Sequence, residues 1–152
     1  MSFLLRVLVL VPIFTMFVLS SGGCAPSTHT IEGTWKTLPS ERGDTTWFEF
    51  DADRKGLFYA TNSRPKDCVW TRLDDPDQLE AFVAETGVSL QTSVREGTPL
   101  PYSPDGAFLI LVDASAVKGF PLMKIISLNQ KSLVVELELE GGPVEVAMER
   151  VD

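Results

Sequence analysis

Between Leu133 and Glu149 the chain follows a period of two, broken once at Gly141-Gly142-Pro143. Leu133, Val135, Leu137 and Leu139 alternate with Val134, Glu136, Glu138 and Glu140. Beyond the break, Val144, Val146 and Met148 alternate with Glu145, Ala147 and Glu149. Successive side chains of a strand point to opposite faces, so each run has one apolar and one mainly acidic face. Pairing positions whose numbers sum to 283 sets Leu139 opposite Val144, Leu137 opposite Val146 and Val135 opposite Met148. A slip by one residue breaks this match. Pro143 lacks the N–H that a two-residue turn needs, so a wider turn over 140–143 is expected.

The rest of the chain supplies more strands. Ile31, Gly33 and Trp35 share one face of the first, with Glu32, Thr34 and Lys36 on the other. TTWFEF (45–50) sets Phe48 and Phe50 together. The polar turn DADRKG (51–56) then leads into LFYAT (57–61), ending in a glycine where positive φ is needed. That turn holds Asp51 and Asp53 but lacks the later ligands of a calcium loop. Cys68–Leu73 reads as a fourth strand. One helix follows over 76–86: Asp75 can cap it, Pro76 suits its first position, and Gly87 ends it. Its apolar face is Leu79, Phe82 and Val83, and so short a helix depends on packing that face against the strands.

VSLQTSV (88–94) alternates Val88, Leu90, Thr92 and Val94 and reads as another strand. The 95–106 loop (REGTPLPYSPDG) is long for a compact domain and carries three prolines. It is a candidate partner-binding segment through Leu100 and Tyr102, expected to be exposed. AFLILV (107–112) is apolar on both faces and should be covered on both sides. LMKIISL (122–128) is a further strand. With eight or nine strands and one short helix, the chain is mostly β, and an antiparallel meander of this kind can close into a barrel without exposed edges.

Gly33-Thr34-Trp35, opening the first strand, resembles the Gly-x-Trp signature of the lipocalins and their bacterial lipocalin-like relatives. The resemblance covers roughly 31–152 and implies a barrel of eight strands whose Trp packs across the closed end under an Arg from the last strand. Arg150 stands in that last strand, on the face of Val144, Val146 and Met148. A charged residue on an inward face needs a specific partner, and a guanidinium stacked on Trp35 would be one. The helix departs from the family pattern, sitting mid-chain instead of before the final strand. Small periplasmic β-barrel inhibitors of secreted proteases, of similar length, begin with a similar strand.

The N-terminus has a different character. A short basic start through Arg6 precedes the apolar run Val7–Leu19, which Pro12 interrupts and which is too short to span a bilayer. Small residues follow, so 1–23 reads as a signal segment. Ser21-Gly22-Gly23-Cys24 resembles the lipobox of bacterial lipoproteins, although that family usually carries an aliphatic residue where Ser21 stands. The resemblance implies acylation of Cys24, membrane attachment by two or more acyl chains, and a tether over 24–30. Ala25 after the cysteine differs from the Asp that marks inner-membrane retention, which implies an outer-membrane address in a Gram-negative cell. The rival reading pairs Cys24 with Cys68 in a disulfide, which an exported compartment permits. Otherwise Cys68 is a lone thiol buried in a strand.

The chain has a formal net charge of −8, and removal of the N-terminal segment with Arg6 makes it −9. Residues 73–152 carry 14 acidic against 5 basic groups, which argues against nucleic acid and against electrostatic docking on anionic lipid. His29, the only histidine, lies in the tether and cannot build a multi-His metal site. No Gly-x-Ser-x-Gly elbow, Cys/His metal spacing or glycine-rich phosphate loop is present. Glu136, Glu138, Glu140, Glu145 and Glu149 fall on outward faces, and Trp47 and Trp70 near Arg54, Lys55 and Arg72 read as structural aromatics. Catalytic chemistry, metals and cofactors are thus not expected. A barrel holding a small apolar ligand is expected, or else an interaction or inhibitor-like barrel meeting another envelope protein.

Overall fold

The computed structural model describes residues 29–115 and 122–151. The segment read as a signal, Cys24 and the tether up to residue 28 lie outside the described residues. Eight strands form one closed antiparallel barrel of lipocalin-like order, each bonded to its neighbours in sequence and the last to the first. They are β1 (Gly33–Thr37), β2 (Thr46–Phe50), β3 (Lys55–Ala60), β4 (Lys66–Leu73), β5 (Phe108–Val112), β6 (Met123–Leu128), β7 (Ser132–Leu139) and β8 (Gly142–Val151). Two short helices, α1 (Asp77–Thr86) and α2 (Leu90–Glu96), lie between β4 and β5.

Alternation decides what fills the barrel. Trp35 pairs with Phe48 on one side and Arg150 on the other, Phe48 pairs with Phe58, and Trp70 with Leu111. Residues of these paired rows, including Trp35, Phe50, Trp70, Leu109, Leu111, Leu133, Val135 and Met148, make the inner core. The opposite face of β5 has its own cover: Ile110 and Val112 join Leu73 and Leu100 in a second cluster under Leu79, Phe82, Leu90 and Val94. A strand apolar on both faces is thus buried on both, by the barrel interior and by the helical insertion.

Four expectations are corrected. Residues 90–96 are helical: the Ser89 hydroxyl accepts the Thr92 N–H at 3.2 Å as an N-cap and Gly97 ends the segment. Leu90 and Val94 stand four apart, on one helical face, and that spacing with its caps prevails over the alternation. The β7–β8 register is displaced by two residues, giving Leu137↔Val144, Val135↔Val146 and Leu133↔Met148. A two-residue shift keeps every side chain on its face, so the apolar match could not distinguish the alternatives. The turn is also tighter than expected, with Leu139 opposite Gly142. Pro143 is tolerated because the pair after a two-residue turn exchanges no N–H bonds within the hairpin. In the β2–β3 turn the positive φ falls on Arg54 (66°), and Gly56 already belongs to β3. There a Cβ would press against the Glu49 carbonyl and the Cys68 sulfur.

Candidate functional site

At one end of the barrel Trp35 is completely buried, and its indole N–H donates to the Ile31 carbonyl at 2.7 Å. The Arg150 guanidinium lies over the ring, 4.3 Å from its centroid. It also donates to three carbonyls, Glu32 at 2.6 Å, Gln130 at 2.8 Å and Thr30 at 2.9 Å. A cation on an inward row is tolerable when its donors are satisfied and one face rests on an aromatic quadrupole. Gly33 makes the arrangement possible, because a Cβ there would collide with Nη1 of Arg150 and its φ is +124°. The three signature residues therefore form one contact.

The 95–106 loop seals the same end. Leu100 is only 4% exposed, so its expected role as an exposed contact is corrected: it belongs to the outer core. Its carbonyl accepts from Arg54 at 3.0 Å. The Thr71 hydroxyl donates to the Pro101 carbonyl, the Ser103 N–H to the Arg72 carbonyl, and Arg72 Nε to the Gly106 carbonyl. Tyr102 remains 42% exposed, with its ring edge-on to Trp70 at 6.0 Å and the Arg54 guanidinium 5.2 Å away. Arg72 is buried; desolvation pulls its pKa down, while Tyr102, Asp105 and Asp74 nearby push it up. Trp70 faces the core and Trp47 stacks on Tyr59 at 5.4 Å, so the aromatics do not share one surface.

The other end is built differently. Along β7 the inward row runs from Leu133 and Val135, both buried, through half-buried Leu137 to Leu139, which is 48% exposed. Along β8 it runs from half-buried Arg150 and buried Met148 through half-buried Val146 to Val144, 44% exposed. At about 3.3 Å per residue, Val144 sits roughly 20 Å from Arg150 along the strand. Phe48, Phe58 and Ile125 are also only partly buried against the core. The Lys66 ammonium, at the rim, lies 5.7 Å from the Phe58 ring centroid. The inward row is therefore apolar up to the β7–β8 turn, where Leu139 and Val144, beyond the last residues paired with β6 and β1, meet solvent.

Cys68, on the inward row of β4, is a free, buried thiol whose pKa is pushed up to about 12, chiefly by desolvation and then by Asp113 and Asp67. A protonated, buried sulfur packs as a small apolar group and is a poor nucleophile. Among the described residues no group of three His, Cys, Asp or Glu side chains is placed to hold a metal, and no helix is long and apolar enough to cross a membrane. No family model, curated protein or solved structure matches the chain. Alternation does not mark the solvent exposure of Val144 and Leu139, which read like any other core positions. Their nearness to the turn was the available signal.

Proposed function

We propose that this chain is an exported lipoprotein, held on a membrane by acyl chains on Cys24, whose barrel takes a small apolar ligand through the mouth beside Leu139 and Val144. The observation that carries this reading is the gradient along one inward row, buried at Leu133 and Met148 and open at Leu139 and Val144. A barrel of eight strands can be filled by side chains or hold one small ligand. Here the half next to Trp35 is filled, and the other half offers an apolar wall to whatever enters. The ligand is held by burial of apolar surface, and no covalent chemistry is required.

Attachment through Cys24 would tether the barrel by its sealed end, where Thr30 and Glu32 meet Arg150, leaving the mouth at the opposite end, and Ala25 fits an outer-membrane address. Native mass spectrometry of protein extracted from membranes tests both halves of the reading. The expected result is a diacylated or triacylated N-terminus on Cys24, together with a noncovalent adduct of extractable lipid-like mass. A soluble wild-type protein with no acyl mass would remove the anchor, and an adduct-free barrel that ignores a panel of fatty acids and other apolar compounds would remove the ligand.

A further inference from the structure

The helical insertion outside the barrel has an apolar face that the fold does not use up. No residue of α1 is fully buried, although Leu79 and Phe82 touch the outer core. Val83 is 36% exposed, and a groove of about 400 Å³ runs between α1 and Leu90, lined by Leu79, Glu80, Val83, Ala84 and Leu90. Glu80 lines it, and Asp74, Asp75, Asp77 and Glu85 lie elsewhere on the same insertion, all exposed. Arg95 is the only Lys or Arg between 73 and 115, and its guanidinium donates to the Ala114 carbonyl. The two ion pairs found among the described residues, Lys36–Glu149 and Lys55–Asp53, leave all five acids out. Glu85 in the last turn, with no basic residue beside it, opposes the helix dipole. An apolar groove on an insertion that carries these five acids and, among the described residues, one basic side chain is complementary to a cation-bearing amphipathic segment.

We infer that the α1–α2 groove docks a partner protein's amphipathic segment, its apolar side chains seated on Val83, Leu79 and Leu90 and flanking Lys or Arg residues facing Glu80 and the other acids of the insertion. The site is separate from the barrel mouth and does not depend on the ligand reading. The charges set orientation and association rate, and the apolar contact sets the lifetime of the complex.

Fluorescence anisotropy with a labelled amphipathic Leu/Lys helical peptide, on the full mature chain, tests it. Binding is expected, weakening as salt is raised. The same peptide with Glu in place of Lys should not bind. Val83→Glu should weaken the Leu/Lys peptide roughly tenfold or more, and Glu80→Lys with Asp77→Lys should weaken it while flattening the salt dependence. All three positions face solvent, so Val83→Glu should melt close to wild type, while the lysines, placed in the first turn of α1, should lower the melting temperature only slightly. Failure of the Leu/Lys peptide to bind, equal binding of both peptides, or indifference to Val83→Glu would overturn the inference. So would affinity lost in Leu139→Asp/Val144→Asp, which would move the peptide to the barrel mouth. Self-association abolished by Val83→Glu, seen by sedimentation, would give the groove to a second copy. Flotation with phosphatidylglycerol vesicles, lost in the same variant, would give it to lipid.

Discussion

The two ends of this barrel share the same strands and the same inward rows, yet among the described residues the row is buried at one and exposed at the other. Around Trp35 the closure is made by polar groups: Arg150, Arg72 and Arg54 each donate to backbone carbonyls of the segments that cross that end. Around Leu139 and Val144 the row stays apolar and meets water. Apolar side chains alone therefore do not close a barrel. Closure here comes from arginines that donate to loop carbonyls; two of them, Arg150 and Arg54, also lie against aromatic rings.

The largest way to break the contrast is at the sealed end. Trp35→Ala should cost about 3–5 kcal/mol as a large core truncation, measured by denaturant unfolding. Arg150→Ala should cost less, about 1.5–3 kcal/mol, since it removes charge-assisted hydrogen bonds and leaves three carbonyls to find water. The double variant should show coupling of about 1 kcal/mol; strictly additive losses would mean that the stacked contact contributes nothing. Gly33→Ala should cost about 1–3 kcal/mol because it strains a positive φ and displaces the guanidinium.

Cys68 sharpens the picture of the filled half. Its folded pKa of about 12 lies above the ordinary thiol value of 9.0, so folding disfavours the thiolate. The stability tied to this group is fully present below the unfolded value and is lost as pH rises from there through the folded one. Unfolding midpoints should therefore fall between about pH 9 and 12 in wild type, and fall less in Cys68→Ala once other groups are matched. A thiol reagent at pH 8 should label Cys68 only at the rate of opening. Rapid labelling of the folded protein would show that the filled half is not closed. The smallest stability effect is expected at the mouth, where Val144→Asp should change stability by no more than about 0.5 kcal/mol.

Much of this architecture was legible because strand alternation is a strong signal when one face is buried. The faces of β7 and β8, the covering of β5 on both sides and the barrel class all follow from residue order. The register of β7 and β8 was not legible, since Leu133, Val135, Leu137 and Leu139 are interchangeable under a two-residue shift. The identity of α2 is not legible from alternation, which Val88, Leu90, Thr92 and Val94 satisfy, while Ser89 and Gly97, which decide it, act through backbone capping. Leu100 looked exposed among prolines; the hydrogen bonds of Arg54 and Thr71 to its neighbourhood pull it into the outer core. The exposure at the β7–β8 tip is not legible for a simpler reason. Exposure of Val144 depends on where the strands end around the barrel, which no local pattern encodes.

The claim that one end is sealed and the other admits an apolar ligand is tested most directly by titrating the mature chain with an apolar fluorescent probe such as 1-aminoanthracene. Wild type should bind with saturation at one site. Leu139→Asp/Val144→Asp should lose that binding with its melting temperature nearly unchanged, whereas Tyr102→Ala at the sealed end should bind as wild type does. Binding that survives the mouth variant and is lost in Tyr102→Ala would put the entrance at the wrong end and contradict the account.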